Sequence, residues 1–188
     1  MTSAVNSIET AVRDWLATIV VGLNLCPFAA QPMRSGRVRV FVSEARDELE
    51  LLTDLQLELQ KLDDSKPDAI ETTLIAIPHM LSAFADYNDF LDQADALLER
   101  FEWSGIYQIA SFHPQYQFAG TLPDDPENLT NRAPYPLLHL LREDSVEAAI
   151  EAHPDVDAIP DDNIRRMREM DAAERAQRFA YLQRRPEH

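Results

Sequence analysis

Apolar residues recur along this chain with two distinct periods, and the switches between them mark out its elements. Ile8, Val12, Trp15, Leu16, Ile19, Val20 and Leu23 fall at steps of three and four, which marks one face of a helix. Gly22 and Asn24 lie near its end, and Pro27 stops it. Val38, Val40 and Val42 then alternate with Arg37, Arg39 and Phe41, as in a strand with one buried face. Ser43 is placed to cap a second helix, whose stripe is Leu49, Leu52, Leu55, Leu59 and Leu62. Thr72 to Ile77 is almost continuously apolar, as in a strand covered on both faces, and Pro78 ends it. Phe84, Tyr87, Phe90, Leu91, Ala94, Leu97, Leu98 and Phe101 form the stripe of a third helix. Gly105 precedes a third strand, Ile106 to Phe112.

Beyond that strand the period is lost until Pro136, which suits the first position of a helix running through Leu137 to Arg142. This helix is expected to break or bend near Asp144 and Ser145, with Asp144 and Glu147 forming a loose capping box. Asp161 to Asn163, after Ile159 and Pro160, cap a final helix with the thin stripe Ile164, Met167 and Met170. The order is helix, then β-α-β-α-β. Strands separated by helical crossovers favour a parallel sheet. The expected class is therefore α/β, a small three-stranded, mainly parallel sheet covered by helices, with a long ordered loop after the third strand; α+β is the alternative. Residues 1–160 are read as one domain, and 161–188 as a helical extension packed on that domain or on a partner subunit.

Composition narrows the class of protein. Of 188 residues, 45% are apolar and 27% charged, which excludes disorder throughout. A net charge of −16 repels nucleic acid and anionic membrane surfaces. The apolar run from Trp15 to Leu25 is about half of the ~20 residues that a membrane span needs. The opening MTSAVNSIET lacks a basic signal-peptide region. Cys26 is the only cysteine, so no intrachain disulfide forms. A cytoplasmic protein is expected, and a homo-oligomer is allowed.

Candidate chemistry concentrates between Ile109 and Glu143, a stretch stiffened by Pro114, Pro123, Pro126, Pro134 and Pro136. Connections are typically about 4–6 residues, and long ordered ones carry function. His113 directly follows the third strand, where open parallel sheets bind ligands; it is either a general base or a histidine bonded to a loop carbonyl. His139 and Arg142, three apart on the expected helix, share a face. Asp125 belongs to a PDDP turn. Asn128, Thr130, Asn131 and Arg132 are the densest hydrogen-bonding cluster, and Arg132 offers a planar fork for carboxylate or phosphate. Tyr116 can stack on an aromatic ligand or simply pack. Cys26 is a nucleophile, a redox thiol or a small buried hydrophobe; a helix C-terminus disfavours its thiolate. No recognised zinc spacing, GxGxxG, phosphate loop or GxSxG elbow occurs. No metal is assigned, and the cofactor is left open.

The blocks NLCPFA at 24–29, ETTL at 71–74, SFHPQYQFAGT at 111–121 and TNRAPYPLLHLLRE at 130–143 resemble the bacterial proteins catalogued as domain of unknown function 1415. The resemblance spans about residues 8 to 170. Relatives commonly carry Ser where this chain has Ala133. It implies that Asn24, Cys26, Pro27, Glu71, His113, Pro114, Tyr116, Gln117, Asp125, Asn131, Arg132, Pro134, Tyr135, His139, Arg142 and Glu143 occupy signature positions. It further implies that Cys26, His113 and Arg132 meet in one pocket, while bringing no reaction with it.

The functional expectation is an enzyme, a hydrolase or transferase acting on a small anionic substrate. His113, Cys26 and Asp125 form its catalytic set; Arg132, Asn131, Arg142, His139, Tyr116 and Glu71 bind substrate. Two alternatives stand beside it. One is a metal-dependent site built on His113, His139 and a carboxylate. The other is a non-catalytic ligand-binding or assembly protein, whose loop polar groups satisfy one another.

Overall fold

The first apolar stripe forms α1 (Thr2–Trp15), which runs on into a π-helical stretch over Leu16–Val21. The computed structural model describes residues 2–153 and 155–183. Val12, Trp15, Leu16, Ile19, Val20 and Leu23 are buried, as their spacing predicts. The stretch closes on Asn24, whose φ is 52°, a left-handed conformation that asparagine tolerates. The Asn24 N–H donates to Val21 O at 2.9 Å and the Leu25 N–H to Val20 O at 2.8 Å. This is a Schellman closure, and it delivers Cys26 immediately afterwards, before the short α2 (Ala30–Arg34).

Four strands form the sheet: β1 (Val38–Val42), β2 (Thr72–Ala76), β3 (Tyr107–Phe112) and β4 (Leu137–Arg142). Their order is β1-β2-β4-β3. β1 and β2 pair in parallel, whereas β4 is antiparallel to both β2 and β3. The class is mixed α/β, but the expectation of three mainly parallel strands is corrected. The segment expected to be a helix after Pro136 is β4, inserted between β2 and β3. Leu137, Leu138 and Leu140 are all buried, so this short run is apolar on both faces. Such a run carries no period that separates a buried strand from a helix.

The sheet has two covered faces. Val38, Val40, Val42, Leu74, Ala76 and Leu137 pack toward α1 and its π-helical extension. Ile75, Ile77, Leu138, Leu140 and Tyr107 pack toward α3 (Glu48–Asp63) and α4 (Phe84–Arg100). The α4 stripe is buried at Tyr87, Phe90, Ala94, Leu97 and Leu98, but Phe101 at its end is 39% exposed. On α3 the buried positions are Leu51, Leu55, Glu58, Leu59 and Leu62, and Leu49 is 75% exposed. Leu55, Leu59 and Leu62 are buried as their spacing predicts and Leu52 packs partly against the same core, whereas Leu51 takes the inward position expected of Leu49. Ser43 is not its cap. Asp47 is, accepting from the Glu50 N–H at 2.9 Å, while Ser43 Oγ donates to Asp54 at 2.6 Å.

After β4, α5 (Glu143–Ala152) begins without a side-chain cap, so neither the break at Asp144 nor its capping box forms. α6 (Ile159–Glu169) starts with Pro160 in its first turn, ahead of the expected cap at Asp161 to Asn163. Met167 and Met170 are buried against the α1 side of the core, and α7 (Ala172–Arg178) follows. No helix among the described residues is long and apolar enough to cross a membrane.

Candidate functional site

The connection between β3 and β4, residues 113–136, is held together by its own polar groups. His113 is fully buried. The Gln115 N–H donates to its Nδ1 at 2.9 Å, so the proton sits on Nε2, which donates to Leu81 O at 3.0 Å. Burial lowers its pKa, opposed by the Leu81 carbonyl. The rings of Phe84, Tyr87 and Tyr116 are grouped around it: Tyr87 lies 5.1 Å and Phe84 5.4 Å from the imidazole, and Tyr116 packs 5.1 Å from Phe84. His113 thus ties the end of β3 to the turn before α4, where Leu81 takes a left-handed φ of 54°.

Asn128 is the hub of the loop's far end. It is fully buried, accepts from Phe118 N–H and Thr121 Oγ1, and donates to Leu122 O at 2.7 Å. Asp125 accepts from the Leu122 N–H at 2.7 Å, the turn role its PDDP setting allows. Arg132 donates to Tyr116 O at 3.2 Å and Pro123 O at 2.6 Å. Burial lowers the guanidinium pKa, while Asp124 acts in the other direction. The Arg132 carbonyl accepts from Trp15 Nε1 at 3.1 Å and Tyr181 Oη at 2.9 Å. Asn131 donates to Ser111 O at 3.2 Å, and its carbonyl accepts from the His113 N–H.

The β4 strand separates two residues that a helix would have put together. Successive strand side chains point to opposite faces, so His139 and Arg142, at odd separation, do too. His139 Nε2 lies 2.7 Å from Thr72 Oγ1, which in turn donates to Leu140 O. Burial lowers the His139 pKa to about 4. Arg142 lies 5.9 Å from the Tyr107 ring and donates from Nη2 to Leu62 O, Ser65 O and Ile70 O, at 2.6, 2.7 and 3.2 Å. These are the carbonyls at and beyond the α3 C-terminus, where a cation is favoured. Glu71 sits at this same end, paired to Arg37 at 2.7 Å. Phe112 pairs with Leu137 at the opposite end of β4. Glu71 and Arg142 are therefore remote from His113, Asn131 and Arg132.

A cavity of about 470 Å³ opens where the Schellman turn, the end of β3, the long loop and α6 meet. Its walls are mostly apolar, with Val20, Leu25, Phe112, Phe118, Ile159 and Ile164 prominent; Cys26, Thr121, Glu127, Thr130, Asn131 and Asn163 supply polar groups. Of the expected site residues, only Cys26 and Asn131 line it. His113 and Arg132 brace the loop behind it, so Cys26, His113 and Arg132 do not share this cavity. Burial pushes the Cys26 thiol up, partly offset by the N–H groups of Phe28 and Ala29, so the thiol is protonated at neutral pH.

α6 forms the outer wall. Asn163 donates to Leu25 O at 2.7 Å, and Arg166 donates to the carbonyls of Leu23 and Asn24. Arg168 reaches across to Glu127 on the loop at 2.8 Å. Sequence reading missed Glu127, Asn163 and Ile164 as site residues because they come from distant segments with no shared motif. A smaller cleft of about 300 Å³ beside β1 is lined by Arg13, Arg37 and Arg39. Each of these arginines is paired, with Glu9, Glu71 and Glu58 respectively. Among the described residues, no three of His, Cys, Asp and Glu converge in a way that could hold a metal ion.

The family described as protein of unknown function (DUF1415) matches residues 7–177, and the chain belongs to it. No curated protein and no solved structure matches the chain.

Proposed function

We propose that this protein binds a small, mainly apolar molecule in the cavity between the 20–26 turn, the end of β3 and α6. The observation that carries this reading is the cavity itself. Its volume of about 470 Å³ lies within the roughly 300–1,000 Å³ of small-molecule sites. Apolar walls with a few polar groups are the composition expected of such a site, and an apolar void gains contacts when filled.

The fate of the other candidate residues supports binding over catalysis on an anion. Both His113 nitrogens bond to main-chain groups. Arg132 and Arg142 spend donors on main-chain carbonyls. A general base must be free to reach a proton, and an anion needs uncommitted cations. The loop polar groups instead satisfy the loop, which leaves the ligand-binding alternative as the better reading.

Thermal unfolding with 2-phenylethanol tests it. At about tenfold its Kd, a ligand of the native state adds about 1.4 kcal/mol, an upward Tm shift of about 3 °C for a chain of this size. Ile164→Trp, which fills the cavity, is expected to abolish that shift. An equal shift in that variant, or none in the parent protein, would overturn the proposal.

A further inference from the structure

We infer that the cavity takes molecules whose polar end is a protonated amine. This rests on the ligand-binding reading above and adds the chemistry of the head group. Glu127 is the only charged side chain lining the cavity among the described residues. Two groups hold its carboxylate below the usual range: Arg168 Nη2, 2.8 Å from Oε1, and its own main-chain N–H. A carboxylate offers about four lone-pair sites, so acceptor capacity is left over. The Arg168 side chain is 61% exposed and does not itself line the cavity.

The neutral groups lean the same way. Asn163 spends an amide hydrogen on Leu25 O, and its Oδ1 accepts from nothing among the described residues. The Thr130 hydroxyl donates to Glu127 O at 2.8 Å, with Asn131 Oδ1 a second acceptor at 3.2 Å, so its hydrogen is spent and it can accept from a ligand. Asn131 spends an amide hydrogen on Ser111 O. The thiol of Cys26 is a weak donor. An ammonium carries three donors and no acceptor, which suits a cavity whose lining includes the Glu127 carboxylate and the acceptors of Asn163 and Thr130. A ligand carboxylate would instead face Glu127 as a like charge. The net charge of −16 also draws cations toward the molecule and repels anions.

Isothermal titration at pH 7 and low salt with 2-phenylethylamine, 2-phenylethanol and phenylacetate separates head group from skeleton. The amine is expected to bind about tenfold more tightly than the alcohol, with phenylacetate weakest. Glu127→Gln should bring amine and alcohol within about twofold of each other. Arg168→Gln, which removes the internal competitor, should strengthen amine binding severalfold. Alcohol binding with no amine advantage overturns the head-group inference and leaves the cavity reading intact. An amine advantage that survives Glu127→Gln also overturns it, since the attraction is then not local. Failure of all three to bind overturns the cavity reading itself.

Discussion

The side-chain amide of Asn163 donates to the carbonyl oxygen of Leu25 at 2.7 Å, joining the first turns of α6 to the closure that carries Cys26. Residues far apart in the chain thereby fix one wall of the cavity. Asn163→Ala should cost about 1–2 kcal/mol by leaving the Leu25 carbonyl without its donor. Urea denaturation measures the loss, and hydrogen exchange should quicken at amides 23–29. Unchanged exchange there would mean that α6 does not hold the turn.

His113 acts as a brace, with a main-chain partner on each nitrogen. His113→Ala should therefore destabilise by about 2–4 kcal/mol, because the buried Leu81 carbonyl loses its donor, the Gln115 N–H loses its acceptor and a buried ring is removed. Limited proteolysis should cut faster within residues 114–125. A variant with an unchanged urea midpoint would refute the bracing role.

Arg142 gathers the Leu62, Ser65 and Ile70 carbonyls with one guanidinium nitrogen. Lysine keeps the charge but not the rigid fork, so Arg142→Lys should still cost about 1–3 kcal/mol. Its effect should fall on stability, with 2-phenylethanol affinity unmoved, since Arg142 is at the far end of the sheet. A loss of affinity at full stability would place Arg142 in the binding site instead.

His139, half-buried on β4 with its pKa lowered to about 4 by desolvation, makes stability depend on acid. Its unfolded value is about 6.5, so below that pH the unfolded chain takes up a proton that the folded chain refuses. The contribution is fully present above about pH 6.5 and declines as pH falls toward 4, by at most about 3 kcal/mol in all. His113, also lowered, works in the same direction. Proton NMR should show the His139 Cε1–H titrating near pH 4; a midpoint near 6.5 would contradict its desolvation.

Much of the fold is legible in the pattern of side chains. Ile8 to Leu23 buries one continuous helical face, and Val38, Val40 and Val42 alternate as a half-buried strand does. β4 is illegible for a physical reason. Leu137 to Arg142 is too short to distinguish the two periods and is apolar on both sides, and the prolines before it suit a strand as well as a helix. That one misreading also set His139 and Arg142 on a common face. The candidate site was legible in part. Cys26 and Asn131 reach the cavity, but its other polar groups depend on how α6 folds back, which the thin stripe Ile164, Met167 and Met170 does not encode.

The most direct test of the account is a crystal structure after soaking with 2-(4-bromophenyl)ethanol, located by the anomalous signal of bromine. The bromine is expected between Phe112, Phe118 and Ile164, with the hydroxyl toward Glu127 and Asn163. Bromine bound only elsewhere, or a cavity still empty at saturating probe, would contradict it.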